Sequence, residues 1–76
     1  MSDADAVTAL RHRLDVLLRE HGEVKARVSE YQRRRWLSPG EELELRTLQR
    51  LKLQKKDAIA AAERELAQLE SGNGFD

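Results

Sequence analysis

The chain of 76 residues has no cysteine, one proline and three aromatic residues. Without cysteine, neither a disulfide framework nor a thiolate zinc site can form. No apolar run exceeds a few residues, so we expect no membrane-spanning segment. The acidic N-terminus lacks the apolar stretch of a signal peptide, and the expected location is therefore the cytoplasm.

Excess charge of one sign is also absent, since 14 Lys and Arg balance 14 Asp and Glu. This balance argues against a generally polycationic nucleic-acid binder but leaves room for a local basic patch. Charged residues make up 37% of the chain and aromatic residues 4%, a composition typical of long solvated helices or coiled coils. The length allows one small domain, residues 1–76, with a thin core.

The single proline divides the chain into two helical patterns. Ser38 suits an N-cap and Pro39 suits the first helical position. Ser38 and Glu41 have the spacing of a capping box. Near the C-terminus, glycine and asparagine supply a stop signal. The predicted segments are a helix over about residues 3–36, a turn over 37–40, a helix over about 39–71 and a loose tail over 72–76.

Apolar residues recur in both helical patterns with the alternating 3-4 spacing of a coiled-coil seam. The first pattern has nine seam positions, and seven of them are apolar. The nine positions are Val7, Leu10, Leu14, Leu17, His21, Val24, Val28, Tyr31 and Arg35. The second pattern also has nine seam positions, and six of them are apolar. The nine positions are Glu41, Leu45, Leu48, Lys52, Lys55, Ile59, Ala62, Leu66 and Leu69. Folding the chain back at Pro39 pairs the two series layer by layer. The predicted fold is therefore an all-α, two-helix antiparallel coiled-coil hairpin, with a parallel homodimer of extended helices as the rival.

Charges beside the seam support the antiparallel orientation. In a heptad labelled a to g, with a and d in the seam, antiparallel packing brings e beside e and g beside g. Three attractive pairs follow from this rule: Arg11–Glu63, Arg13–Glu65 and Arg34–Glu44. Exposed pairs contribute only about 0.2–1 kcal/mol each, so they indicate orientation more than stability.

A polar layer interrupts the apolar seam. His21 falls at an a position opposite Lys55, and Lys52 lies one layer away. Such a layer can fix the register and the oligomeric state at some cost in stability. A ligand-binding or proton-responsive centre is the alternative, and we favour the structural role.

Several leucines lie outside the seam: Leu18, Leu43, Leu51 and Leu53. A lone hairpin buries one stripe on each helix, so a second hairpin could cover the remainder. We expect self-association, most simply a dimer that forms a four-helix bundle. The same leucines could dock a helix of an unidentified partner protein.

A basic cluster falls near the turn: Arg33, Arg34, Arg35 and Trp36. Arginine next to an exposed tryptophan could hold phosphate and stack a base. The nearby carboxylates of Glu41, Glu42 and Glu44 neutralise part of this charge, so nucleic-acid binding is the alternative and not the leading prediction.

Catalytic and metal-binding patterns are absent from the sequence. His12 and His21 are nine residues apart, with no third ligand at a suitable spacing. No nucleophile–base arrangement or glycine-rich phosphate loop occurs. We therefore expect neither enzymatic activity nor a metal or cofactor.

Three sequence blocks resemble those of the YdcH-like family, which comprises small uncharacterised bacterial proteins. The first is Glu20-His21, the second runs from Arg34 through Ser38-Pro39 to Glu41, and the third spans residues 48–59. The chain departs from the family pattern at Gln49 and Lys55. The resemblance implies a bacterial cytoplasmic helical hairpin and no established activity, cofactor or catalytic residue.

Together these patterns predict a small cytoplasmic interaction or scaffold protein that self-associates and docks a partner protein. The alternative is a nucleic-acid-associated accessory protein that uses the basic cluster at the turn.

Overall fold

Two long helices form the molecule. The computed structural model describes residues 3–72, with α1 at Asp3–Gln32 and α2 at Pro39–Gly72. The helices pack against each other along a rod of 58 × 18 × 16 Å. The predicted all-α antiparallel hairpin is confirmed. Of the predicted tail, only Gly72 is described, as the end of α2, and residues 73–76 lie outside the described part of the chain.

The core consists of two apolar clusters in series along the rod. The open-end cluster, far from the turn, contains the buried residues Leu10, Leu17 and Ala62. The turn-end cluster contains the buried residues Val24, Val28 and Leu48. Further seam residues pack against these clusters while partly exposed: Leu14, Ile59, Leu66, Leu69, Tyr31 and Leu45. The 3-4 spacing therefore identified the face of each helix that is buried.

The first helix ends earlier than predicted, at Gln32 instead of residue 36. The amide of Arg33 makes the last i to i−4 bond, to the carbonyl of Ser29, and the amide of Arg34 then bonds the carbonyl of Tyr31 in a tighter turn. A first helix that continued to residue 36 would leave only residues 37 and 38 to reverse the chain before α2 begins at Pro39. Residues 33–38 instead form the connection, and the predicted turn over 37–40 begins too late.

The start of α2 has the predicted capping box. The amide of Glu41 donates to the Ser38 hydroxyl at 3.2 Å, and the amide of Ser38 donates to the Glu41 carboxylate at 3.0 Å. The Ser38 hydroxyl thereby satisfies one of the amides that the first turn of a helix leaves without a partner. The pKa of Glu41 is lowered, mainly by the bond from the Ser38 amide and further by the Ser38 and Arg34 side chains, with partial burial opposing.

The capping box makes the stability of the hairpin depend on pH. Because the pKa of Glu41 is lower in the folded chain, its contribution is present above the ordinary value of 4.5 and is lost as pH falls towards the folded value. The difference in unfolding free energy between wild type and Glu41→Gln should therefore shrink below about pH 4.5.

Thermal or urea unfolding followed at a series of pH values measures this difference. Ser38→Ala is the companion variant and should cost about 1 kcal/mol at neutral pH. A difference between wild type and Glu41→Gln that stays constant from neutral pH to pH 3 would show that the carboxylate does not act through its charge.

The ion pairs of the described residues differ from the three that the sequence predicted. None of Arg11–Glu63, Arg13–Glu65 and Arg34–Glu44 forms among residues 4–71. The pairs that do form are Arg11–Glu70, Arg27–Glu44, Arg34–Glu30, Arg34–Glu41 and Lys55–Glu20. The Arg11–Glu70 pair joins two e positions, and the Arg27–Glu44 pair joins two g positions. The rule that e lies beside e and g beside g therefore holds, while the predicted partners were wrong.

Candidate interaction surfaces

The polar layer lies between the two core clusters. His21, Lys52 and Lys55 are all half-buried, as expected for residues in the seam. The ammonium of Lys55 does not remain opposite His21 unpaired, because it donates to the carboxylate of Glu20 at 2.8 Å. Nε2 of His21 is buried and has no hydrogen-bond partner. The layer therefore interrupts the core, and its histidine carries an uncompensated polar atom.

The predicted leucine surface is exposed at three of its four positions. Leu18 is 48% exposed, Leu43 64% and Leu53 61%. Leu51 is different, because it is half-buried and packs against the turn-end cluster. It occupies a g position, where a side chain can widen the seam of the hairpin itself. Leu51 therefore belongs to the core rather than to a docking surface.

Leu18 and Leu53 lie on the same side of the rod. Leu18 is at an e position one heptad after Arg11, whose ion pair with Glu70 shows that the e sides of the two helices adjoin. Leu53 neighbours e positions of α2 at i−4 and i+3. The Glu20–Lys55 pair sets the helices level, so the two leucines are about 6 Å apart along the rod axis at 1.5 Å per residue. We call these two leucines, which lie on the same side of the rod near its middle, the Leu18/Leu53 patch.

The opposite side of the rod carries a shallow groove of about 250 Å³. Its floor is made of small side chains at the g, c and d positions of α2, and its rim carries one charge of each sign. The lining residues are Leu10, Arg13, Ala58, Ala61, Ala62 and Glu65. Arg13 and Glu65 thus lie near each other, as the g-to-g rule predicts, without forming an ion pair within residues 4–71.

Arg34, a member of the predicted basic cluster, ties the connection to both helices. The guanidinium of Arg34 donates to the carboxylate of Glu41 at 2.5 Å and lies 4.0 Å from the carboxylate of Glu30. It also lies over the ring of Tyr31, 5.0 Å from the ring centre. Arg34 therefore holds the end of α1 to the start of α2.

Tyr31 and Glu44 add a second link between the helices. The Tyr31 hydroxyl donates to the Glu44 carboxylate at 2.5 Å, and Arg27 donates to the same oxygen at 3.1 Å. The pKa of Tyr31 is raised from 10.0, first by the bond to Glu44, then by desolvation and by the negative charge of Glu44. Glu44 is consequently occupied, and Arg34, which has left the helix, pairs with Glu41.

The remaining residues of the basic cluster face solvent. Arg33, Arg35 and Trp36 are exposed, and Trp36 at 74% has the largest exposed fraction among the exposed large apolar side chains. Neither Arg33 nor Arg35 forms an ion pair with any residue that the structure describes. The predicted four-residue patch is therefore reduced to three residues, which we call the tip patch.

The alanine groove and the network around Tyr31 were not predicted from the sequence. The groove had a detectable signal, because α2 has small residues at both the g and c positions near residues 58–61. The network had none, since an arginine or a tyrosine can reach any of several carboxylates on the facing helix. Those choices depend on where α1 ends.

No group of three or more histidine or carboxylate side chains within the described part of the chain could hold a metal ion. Neither α1 nor α2 has the combination of length and apolarity that crossing a membrane would require.

No family model, curated protein or solved structure matches this chain. The resemblance to the YdcH-like family, based on residues 20–21, 34–41 and 48–59, therefore stays a prediction.

Proposed function

We propose that this chain is a small cytoplasmic interaction or scaffold protein that works as a self-associated hairpin. Two copies pair into a four-helix bundle, and the assembled bundle docks a helix of a partner protein. The observation that carries the proposal is the Leu18/Leu53 patch. It places Leu18, which is 48% exposed, and Leu53, which is 61% exposed, on one side of the rod.

The occupant we assign to this patch is a second copy of the chain. A two-fold axis near mid-rod would bring Leu18 of one hairpin against Leu53 of the other, and the same contact would recur on the far side of the axis. One patch thereby supplies both halves of the interface. The Leu18/Leu53 patch is suitably placed, because its two leucines lie close together along the rod.

The thin core of the single hairpin also supports association. Only six apolar side chains are buried in the described residues, and Val28, at 2% exposed, is the most buried of them. The polar layer divides even this small core in two. Chains of this size commonly need an additional source of stability, and a second hairpin supplies it by burying leucines that are now in water.

Leu43 is outside the proposed interface between copies. It precedes Leu53 by ten residues, about 15 Å along the helix towards the turn. It would therefore remain exposed after two hairpins pair through mid-rod. In our proposal Leu43 is available to a partner helix, which would use apolar residues at i, i+3 and i+4 spacing.

Sedimentation equilibrium tests the self-association. We expect wild type to sediment with the mass of two chains, and Leu18→Glu or Leu53→Glu to weaken the dimer about a hundredfold or more, because each leucine is buried twice per dimer. Leu43→Glu is the matched control, an equally drastic change at an equally exposed leucine, and it should leave the dimer intact.

Two outcomes would contradict this proposal. One is a wild-type chain that stays monomeric at the highest concentration tested while retaining full helicity. The other is a Leu43→Glu variant that dissociates as readily as Leu53→Glu, which would move the interface away from mid-rod.

A further inference from the structure

The connection between the helices presents an indole to solvent at the narrow end of the rod. Trp36 is 74% exposed, and its neighbours Arg33 and Arg35 have no carboxylate partner among the described residues. An exposed aromatic side chain within three residues of two guanidinium groups that pair with no described carboxylate offers the two interactions that single-stranded nucleic acids use, base stacking and phosphate pairing.

Two of the three carboxylates near the tip patch have partners, whereas Glu42 is exposed and forms no ion pair among residues 4–71. Glu41 accepts from Arg34 and from the Ser38 amide. Glu44 accepts from Arg27 and Tyr31. Because these acids already have partners, the charges of Arg33 and Arg35 remain available to an anion.

The connection is also held in place on both sides of Trp36. Two residues before it, Arg34 is bound to Glu41 and lies over the Tyr31 ring. Two residues after it, Ser38 takes part in the capping box. A binding segment that is anchored before the ligand arrives loses less conformational entropy on binding.

We propose that Arg33, Arg35 and Trp36 form a contact site for single-stranded nucleic acid. The indole of Trp36 stacks on one unpaired base, and the two guanidinium groups pair with backbone phosphates on either side. The site has no requirement for base sequence, because every base offers a stacking face. This contact is separate from the Leu18/Leu53 patch and does not rest on self-association.

A single strand fits the tip patch better than the other anionic partners. Stacking on Trp36 needs an unpaired base, which a duplex does not present. A membrane surface would need a wider apolar area than one indole. Leu37 beside Trp36 is half-buried and therefore does not widen that area enough. Both alternatives enter the experiment as competitors.

The test uses the full chain and a fluorescein-labelled thymidine oligonucleotide of about 12 nucleotides, with anisotropy as the readout. Two phosphate contacts predict a slope of log K against log salt of about −1.4, which is about a sevenfold loss of affinity between roughly 50 and 200 mM salt. Arg33→Gln or Arg35→Gln should reduce that slope to about −0.7. Arg64→Gln, which changes an exposed arginine of α2 far from the turn, should leave it unchanged.

The stacking contact is tested separately. Trp36→Leu should weaken binding about tenfold or more, whereas Trp36→Phe should retain most of it. Trp36 is the single tryptophan of the chain, so quenching of the intrinsic fluorescence of wild type by the unlabelled oligonucleotide reports directly on this contact.

Several results would overturn the proposal. They are a Trp36→Leu variant that binds as tightly as wild type, an Arg35→Gln salt slope equal to that of wild type, and a duplex of the same length that binds as well as the single strand. Binding to phosphatidylglycerol vesicles without binding to the oligonucleotide would overturn it in favour of a membrane contact.

Discussion

Replacing Leu17 with aspartate should unfold the hairpin. Leu17 is buried in the open-end cluster with Leu10 and Ala62. Removing a buried leucine costs about 2–5 kcal/mol, and a carboxylate without a partner at the same position adds a desolvation cost. The core of a chain this small supplies only about 3–5 kcal/mol of net stability, so the loss exceeds what is present. Far-ultraviolet circular dichroism should show the helical signal collapse.

Leu43→Asp is the matched control for this experiment. It makes the same chemical change at a leucine that is 64% exposed and outside both core clusters. We expect it to keep the helical signal of wild type at the same protein concentration. Full helicity in Leu17→Asp at low concentration would show that the seam does not pass through Leu17.

Replacing His21 with leucine should raise the free energy of unfolding by about 1–3 kcal/mol. Nε2 of His21 is buried without a hydrogen-bond partner, and a buried polar atom left unsatisfied costs about that amount. A leucine at this position would also add an apolar side chain between the open-end and turn-end clusters, with Lys52 and Lys55 remaining on the α2 side of the layer. Urea unfolding at a fixed protein concentration measures the change, since association would otherwise add to it.

The chain offers a matched control, because it contains one other histidine. His12 is exposed on α1, so His12→Leu should change the unfolding free energy by about 0.5 kcal/mol or less. A loss of stability in His21→Leu would contradict this expectation. It would indicate that the histidine has a favourable partner at the seam, and that the polar layer holds the two helices in register without lowering the free energy of unfolding.

The fold of this protein could be predicted from the sequence to a large extent because its main signals are local. Helical periodicity places every third or fourth residue on one face, so the apolar spacing indicated which residues pack in the core. The capping box depends on the separation of three positions from Ser38 to Glu41, and both of its hydrogen bonds form as predicted. The antiparallel orientation was predicted because folding the chain back at Pro39 pairs the two apolar series layer by layer.

The ion pairs and the tip patch could not be predicted in the same way. Arginine and glutamate side chains are long, and the alternative partners on a facing helix differ by only about 0.2–1 kcal/mol. Arg11 therefore reaches Glu70 in place of Glu63, although both acids lie on the same side of α2. Which arginines stay free at the turn depends on these choices.

The sequence by itself determined two helices, the face that each buries, the cap of α2 and the polar layer, since each depends on spacing along one chain segment. Only the tertiary structure decided where α1 ends, because that depends on how many residues the chain needs to reverse its direction before Pro39. The end of α1 in turn placed Arg34 against Glu41 and left Arg33 and Trp36 in solvent.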